Sequence, residues 1–258
     1  MRQFARAVPL VIGLLVLAAC AGCNERSSAR APRVNPLDEV LRVPASVARQ
    51  EGIAAAILMD TSGSMRDQVA DLDGQAISKI SIARRSAIDC LRQFEEFARK
   101  NPERKVLVGV YEFSSRDHKP SCRKVVPLGP PDSEKSAAAI NAMVPSGGTP
   151  IGNAMIQAKL DLDATGMSRR HILVVTDGEN NVGYSPGDVA NALAQIPEEE
   201  RASLYFIAFD VGADRFNSVK ESGGLVLAAS SGSDLKQTLD FVLTGKILVE
   251  QPVAPASR

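Results

Sequence analysis

Four apolar runs, Ile53–Met59, Val106–Phe113, His171–Thr176 and Ser203–Phe209, recur along the chain with helical patterns between them. Each run is close to continuous rather than alternating, which is the pattern of a strand buried on both faces. The stretch KISIARRSAIDCLRQFEEFARK sets Ile80, Ala83, Ala87, Cys90, Leu91, Phe94 and Phe97 on one stripe and its charges on the other, as a helix lying on a sheet requires. Further helices are expected from Ser133 to Met143, Pro150 to Leu162, Pro186 to Gln195, Ala213 to Glu221 and Asp234 to Leu243, with weaker strands at Lys124–Leu128 and Leu225–Ala228. Strands that alternate with helices demand crossover connections, so the expected fold is α/β: a doubly wound, mostly parallel sheet with helices on both faces.

With 258 residues, 45% of them hydrophobic, the chain can bury one large core, and the strand and helix patterns place that domain at residues 52–250. Thirty Lys and Arg balance thirty Asp and Glu, so no overall field draws the protein to nucleic acid. Tryptophan is absent and aromatic residues are 4%, which leaves little from which to build a stacking platform for sugars or single strands. The amino terminus has two arginines and then an apolar run from Ala7 to Ala19, shorter than the roughly 20 residues of a spanning helix and expected to be a signal peptide over residues 1–19. The string LAAC that closes it resembles the bacterial lipoprotein box. That resemblance implies acylation of Cys20 and attachment to a membrane in the bacterial cell envelope, facing the periplasm or the surface; Ala21 leans toward the outer membrane, and Cys23 is the poorer match. Residues 20–51, rich in Ser, Arg, Pro and Ala, are expected to form a flexible tether, and residues 251–258 a loose tail.

Loops that leave the carboxyl ends of parallel strands gather along one edge of the sheet, and ligands bind there at the topological switch point. Asp60 ends the run AAAILMD and is followed by Ser62 and Ser64, while Asp177 ends ILVVTD. Two carboxylates leaving neighbouring strands in the same direction repel each other unless a cation or a shared proton intervenes. The loop PSGGTPIGNAM adds Thr149, expected as the N-cap of a helix opened by Pro150, and its Gly147 and Gly148 let the backbone come close to the crevice. Asp60, Ser62, Ser64, Thr149 and Asp177 form an all-oxygen set without thiolate or imidazole, suited to a hard divalent ion such as Mg²⁺ or Mn²⁺. Asp60 is expected at a solvent-facing crevice rather than in the core.

The strings DTSGS, GGTPIGNAM and TDG, in that order and on those elements, resemble the metal-ion-dependent adhesion site of von Willebrand factor A domains. The resemblance runs from about Gly52 to Leu243 and implies a Rossmann-like sheet. It also implies that Ser62, Ser64 and Thr149 touch the metal while Asp60 and Asp177 act through water. Neutral hydroxyls leave the ion's charge largely uncompensated, so an Asp or Glu of a partner protein can complete its shell. The implied function is a membrane-anchored protein-binding module, not an enzyme.

Two other readings stay open: a phosphohydrolase using Asp60 as nucleophile, although Ser62 stands where such enzymes carry a second aspartate, and an assembly subunit with a structural or vacant metal site. DLDG, Asp71–Gly74, is expected as a solvated loop because the glutamate of a calcium loop is missing at the required spacing. His118 and His171 are expected at the surface. Cys90 and Cys122 are candidates for a disulfide in an oxidising compartment, the alternative for Cys90 being a small buried apolar residue.

Overall fold

The computed structural model of the protein describes residues 36–42 and 47–250. The expected signal peptide over residues 1–19, Cys20, Cys23 and the expected tail at 251–258 lie outside the described residues. Strand β1 (Gln50–Asp60) is buried apart from its first two residues, and its side chains divide by parity. Ile53, Ala55, Ile57 and Met59 enter one core, whereas Ala54, Ala56 and Leu58 enter another on the opposite face. β2 (Gln68–Ala70) and β3 (Ala76–Ser78) form a small separate hairpin, and the DLDG string is its turn. The other strands are β4 (Lys105–Arg116), β5 (Lys119–Gly129), β6 (Met167–Thr176), β7 (Ser203–Phe209) and β8 (Leu225–Ala229).

The six-stranded sheet has the order β5-β4-β1-β6-β7-β8, parallel throughout except for the antiparallel β4–β5 pair. That pair is closed by two residues, Asp117 and His118, both in the left-handed region with φ of 50° and 59°, the arrangement that matches the twist of a tight hairpin. From β1 the chain steps outward to β4 and β5, then returns to the other side of β1 for β6, β7 and β8. The strand order therefore reverses between β1 and β6, and the crevice of a doubly wound sheet opens at their carboxyl ends.

In chain order the helices are α1 (Pro36–Val40), α2 (Lys79–Lys100), α3 (Ser133–Asn141), α4 (Ile151–Ala164), α5 (Pro186–Ala194), α6 (Asn217–Glu221) and α7 (Gly232–Val242). α2, α3 and α7 cover the face of Ile53 and Ile57; α1, α4, α5 and α6 cover the face of Leu58. The apolar stripe expected on α2 is the buried one, with Phe97 half-buried at its end. Among the described residues no helix is long and apolar enough to cross a membrane.

Three expectations need correction. Part of the supposed tether is packed: Leu37 and Leu41, on and just after α1, are buried in the core beneath α4, and Lys159 Nζ donates to the Leu41 carbonyl at 2.6 Å. Cys90 and Cys122 are both free, and each packs against the core on a different face of the sheet, so the sheet itself stands between them. His171 is wholly buried within β6, while His118 is exposed in its turn as expected. Burial, with the neighbouring Arg169 adding to it, pushes the His171 imidazole down from 6.5 to about 3.

Candidate metal centre

The loops after β1 and β6 and the loop before α4 meet at the switch point. Thr61 N–H donates to Phe113 O at 2.9 Å, carrying β1's ladder one residue beyond its end, and Ser146 N–H donates to Thr61 O at 2.7 Å. Gly63 N–H donates to Gly147 O at 3.0 Å, so the serine loop and the Thr149 loop are stitched together by their backbones. Gly147 has a φ of 71°, and a Cβ there would stand 1.7 Å from Ser115 O, which leaves glycine as the residue that fits. At Gly148 a Cβ would strike Asn181 Oδ1, the atom that accepts from Thr149 N–H at 2.8 Å. The two glycines do bring the backbone close, and what they approach is β4's Ser115 and the Asn181 loop.

Asp60 points inward rather than to solvent. It is fully buried; Oδ1 accepts from Ser62 N–H at 2.7 Å and Oδ2 accepts from the Thr176 hydroxyl at 2.6 Å. Burial raises its pKa from 3.8 to about 7, against the lowering effect of those donors, and Asp177 adds to the rise. The expectation of a solvent-facing Asp60 is thus overturned, because the carboxylate braces the turn that presents the serines.

Ser62 Oγ and Ser64 Oγ lie 3.1 Å apart, and Ser64 Oγ donates to Asp177 Oδ1 at 2.8 Å. A Cβ on Gly178 would stand 3.6 Å from Thr149 Oγ1 and 4.0 Å from Ser64 Oγ, so these two hydroxyls border one point beside the Asp177 loop. All five expected residues therefore gather at this edge. Thr149 does not cap α4, however: Pro150 holds the N-cap position, and the threonine N–H is spent on Asn181.

Residues that the sequence pattern did not single out complete the surroundings. Thr176 holds Asp60, Ser115 Oγ accepts from Gly148 N–H at 2.8 Å, and Asn181 holds Thr149. Lys79, the first residue of α2, is buried and reaches Asp177 Oδ2 at 3.1 Å and Asp210 Oδ2 at 2.8 Å. Burial presses its ammonium toward a lower pKa, but Asp210 and Asp177 outweigh that effect and hold it above the ordinary value. Thr176 abuts Asp177 and could have been found by its hydroxyl; Lys79 gave no signal beyond a charge at the start of a helix.

Among the described residues no three His, Cys, Asp or Glu side chains gather to hold a metal, so a cation here depends on hydroxyls. Ser62, Ser64 and Thr149 supply neutral oxygens and Asp60 and Asp177 supply charge behind them, a donor set whose chemistry fits a hard divalent ion that keeps part of its water shell.

Residues 55–179 match the family model of the von Willebrand factor type A domain, a span that contains all five site residues. Over that span, just under half of the chain, the sequence is similar to a von Willebrand factor type A domain. Solved structures with the same fold include a von Willebrand factor type A protein from Catenulispora acidiphila, 18% identical with a TM-score of 0.58, covering 78% of this chain and 44% of that one. The PilB minor pilin from Streptococcus sanguinis is 14% identical with a TM-score of 0.55, and the match covers 80% of this chain and 63% of the pilin. Proximal thread matrix protein 1 from the mussel byssus, solved with a zinc-occupied MIDAS motif, is 19% identical with a TM-score of 0.56, over 76% of this chain and 48% of that protein. The chain thus spans less than two thirds of the length of each of these three proteins. No protein of curated function matches the chain in sequence.

Proposed function

We propose that the domain binds a divalent ion, Mg²⁺ or Mn²⁺, through Ser62, Ser64 and Thr149, with Asp60 and Asp177 behind them, and uses it to hold an Asp or Glu side chain of a partner protein. The observation that carries this reading is the unbroken set of contacts from Asp60 through Ser62 and Ser64 to Asp177, with the Thr149 hydroxyl beside it, at the switch point of the sheet. A bound divalent ion supplies an electrophile to which an incoming carboxylate can bond. The zinc-occupied MIDAS of the mussel protein supports the view that loops of this fold hold a divalent metal. The hydrolase alternative is disfavoured by Asp60 itself: a nucleophile needs a free, reachable oxygen, and both of its oxygens are buried and already accept hydrogen bonds.

The proposal includes a lipid anchor at Cys20 in the bacterial cell envelope, supported by the LAAC string. Cys20→Ala should then lose fatty-acid label in cells, and retained label would move the anchor elsewhere. For the binding role, the mature protein on a solid support should retain an envelope protein in Mg²⁺ or Mn²⁺ and release it in chelator. Retention indifferent to chelator would contradict the reading.

A further inference from the structure

We propose that Lys79 is a resident counter-cation of the metal centre, one that weakens the hold on the divalent ion and so leaves more of the ion's charge for the partner's carboxylate. This rests on the metal reading above and adds to it a residue that the hydroxyl–carboxylate set does not include. Asp177 has one oxygen on the Ser64 hydroxyl and the other on the Lys79 ammonium. The same ammonium is held by Asp210, which leaves β7 with a left-handed φ of 55° and is fixed through its N–H to Ala229 O at 2.7 Å. Lys79 is fixed in turn, because its own N–H donates to Asp67 O at 2.8 Å at the end of the serine loop. A cation built into the fold from three strand-end loops thus faces the carboxylate that stands behind the hydroxyls.

The consequence is electrostatic. With neutral hydroxyls as the nearest donors, Asp60 and Asp177 are the charges that offset a divalent ion, and Lys79 cancels part of what Asp177 offers. Repulsion between the ammonium and the ion, in a largely buried place where screening by water is weak, lowers metal affinity. It also leaves the bound ion more electrophilic, so metal and partner carboxylate stabilise each other's binding. Asp210 moderates the effect by taking up part of the ammonium's charge.

A merely structural role makes the opposite prediction. If Lys79 only positioned Asp177, its removal would let the carboxylate wander and metal affinity would fall. As a counter-cation, its removal must raise that affinity. The test is calorimetric titration of Mg²⁺ into the mature wild-type protein, Lys79→Gln and Asp210→Asn, with circular dichroism to check folding. Lys79→Gln should bind Mg²⁺ about tenfold more tightly or better, and Asp210→Asn, which leaves the ammonium's whole charge on the site, should bind it more weakly. Equal or weaker binding by Lys79→Gln would overturn the proposal while leaving the metal site standing. Should that variant fail to fold, Asp210→Asn carries the test alone, and affinity equal to or above wild type would overturn it. Absence of Mg²⁺ binding in every protein would strike the metal reading itself and this proposal with it.

Discussion

Asp60 and His171 are both buried ionisable groups, placed on neighbouring strands and serving different ends. Each oxygen of Asp60 receives a hydrogen bond, so truncating it would strand Ser62 N–H and the Thr176 hydroxyl at a cost of about 1–3 kcal/mol, apart from any effect on metal. Serine variants are the cleaner probes of the site. His171 has no such support: neither ring nitrogen makes a hydrogen bond among the described residues, and Nε2 stands 3.5 Å from Glu250 Oε2. Its folded pKa of about 3 lies below the ordinary 6.5, so between those values the unfolded chain binds a proton that the folded one refuses. Stability due to His171 is complete above that window and is lost as pH falls through it, by at most about 1.4 kcal/mol per pH unit. Urea unfolding of wild type and His171→Leu at about pH 7 and pH 5 should show wild type losing about 2 kcal/mol more than the variant. Equal losses would mean that the imidazole titrates normally in the fold.

Among elements, α1 and the residue after it carry the clearest departure from expectation. Leu37 and Leu41 are buried, and the Leu41 carbonyl accepts from Lys159, whose ammonium also meets Asp163; that carboxylate takes a further bond from Arg170 Nη1 at 2.9 Å. The segment is thereby tied to α4 and β6 through a buried charge cluster as well as by apolar contact. Leu41→Ala should lower unfolding stability by about 2–4 kcal/mol, whereas a leucine in a free tether would leave it unchanged, and denaturant titration separates the two. The reason the segment misled is physical: two leucines four residues apart in a polar, proline-bearing stretch make no periodic run, and their burial depends on a surface supplied by residues more than a hundred positions away. α2, by contrast, was legible because seven apolar positions repeat at helical spacing over 22 residues. The β2–β3 hairpin went unseen for the same reason as α1: its strands are three residues each and gain their order from neighbours, with Asp71 at the turn held by Arg85.

For the molecule as a whole, the path of the chain through the sheet makes the site. Apolar runs alternating with helical patterns were enough to read a mostly parallel, doubly wound sheet, and with it the edge at which Asp60 and Asp177 emerge. Four of the five oxygen-bearing residues were legible because they stand in short strings at the ends of β1 and β6, and Thr149 because it follows a glycine pair in the loop before α4. Their roles were less so: whether Asp60 faces inward or outward, and whether Thr149 caps a helix, depends on Thr176 and Asn181, which reach the site from the other side of the switch point. Lys79 could not be read at all, since its partners Asp177 and Asp210 lie about a hundred residues or more away in sequence. The metal centre is tested most directly by calorimetric titration of Mg²⁺ into the protein beside Ser64→Ala, the wild-type hydroxyl linking Ser62 to Asp177. One ion should bind per wild-type molecule, with an affinity lowered about tenfold or more in Ser64→Ala and the fold intact. No bound ion in wild type, or the same affinity in both proteins, would contradict it.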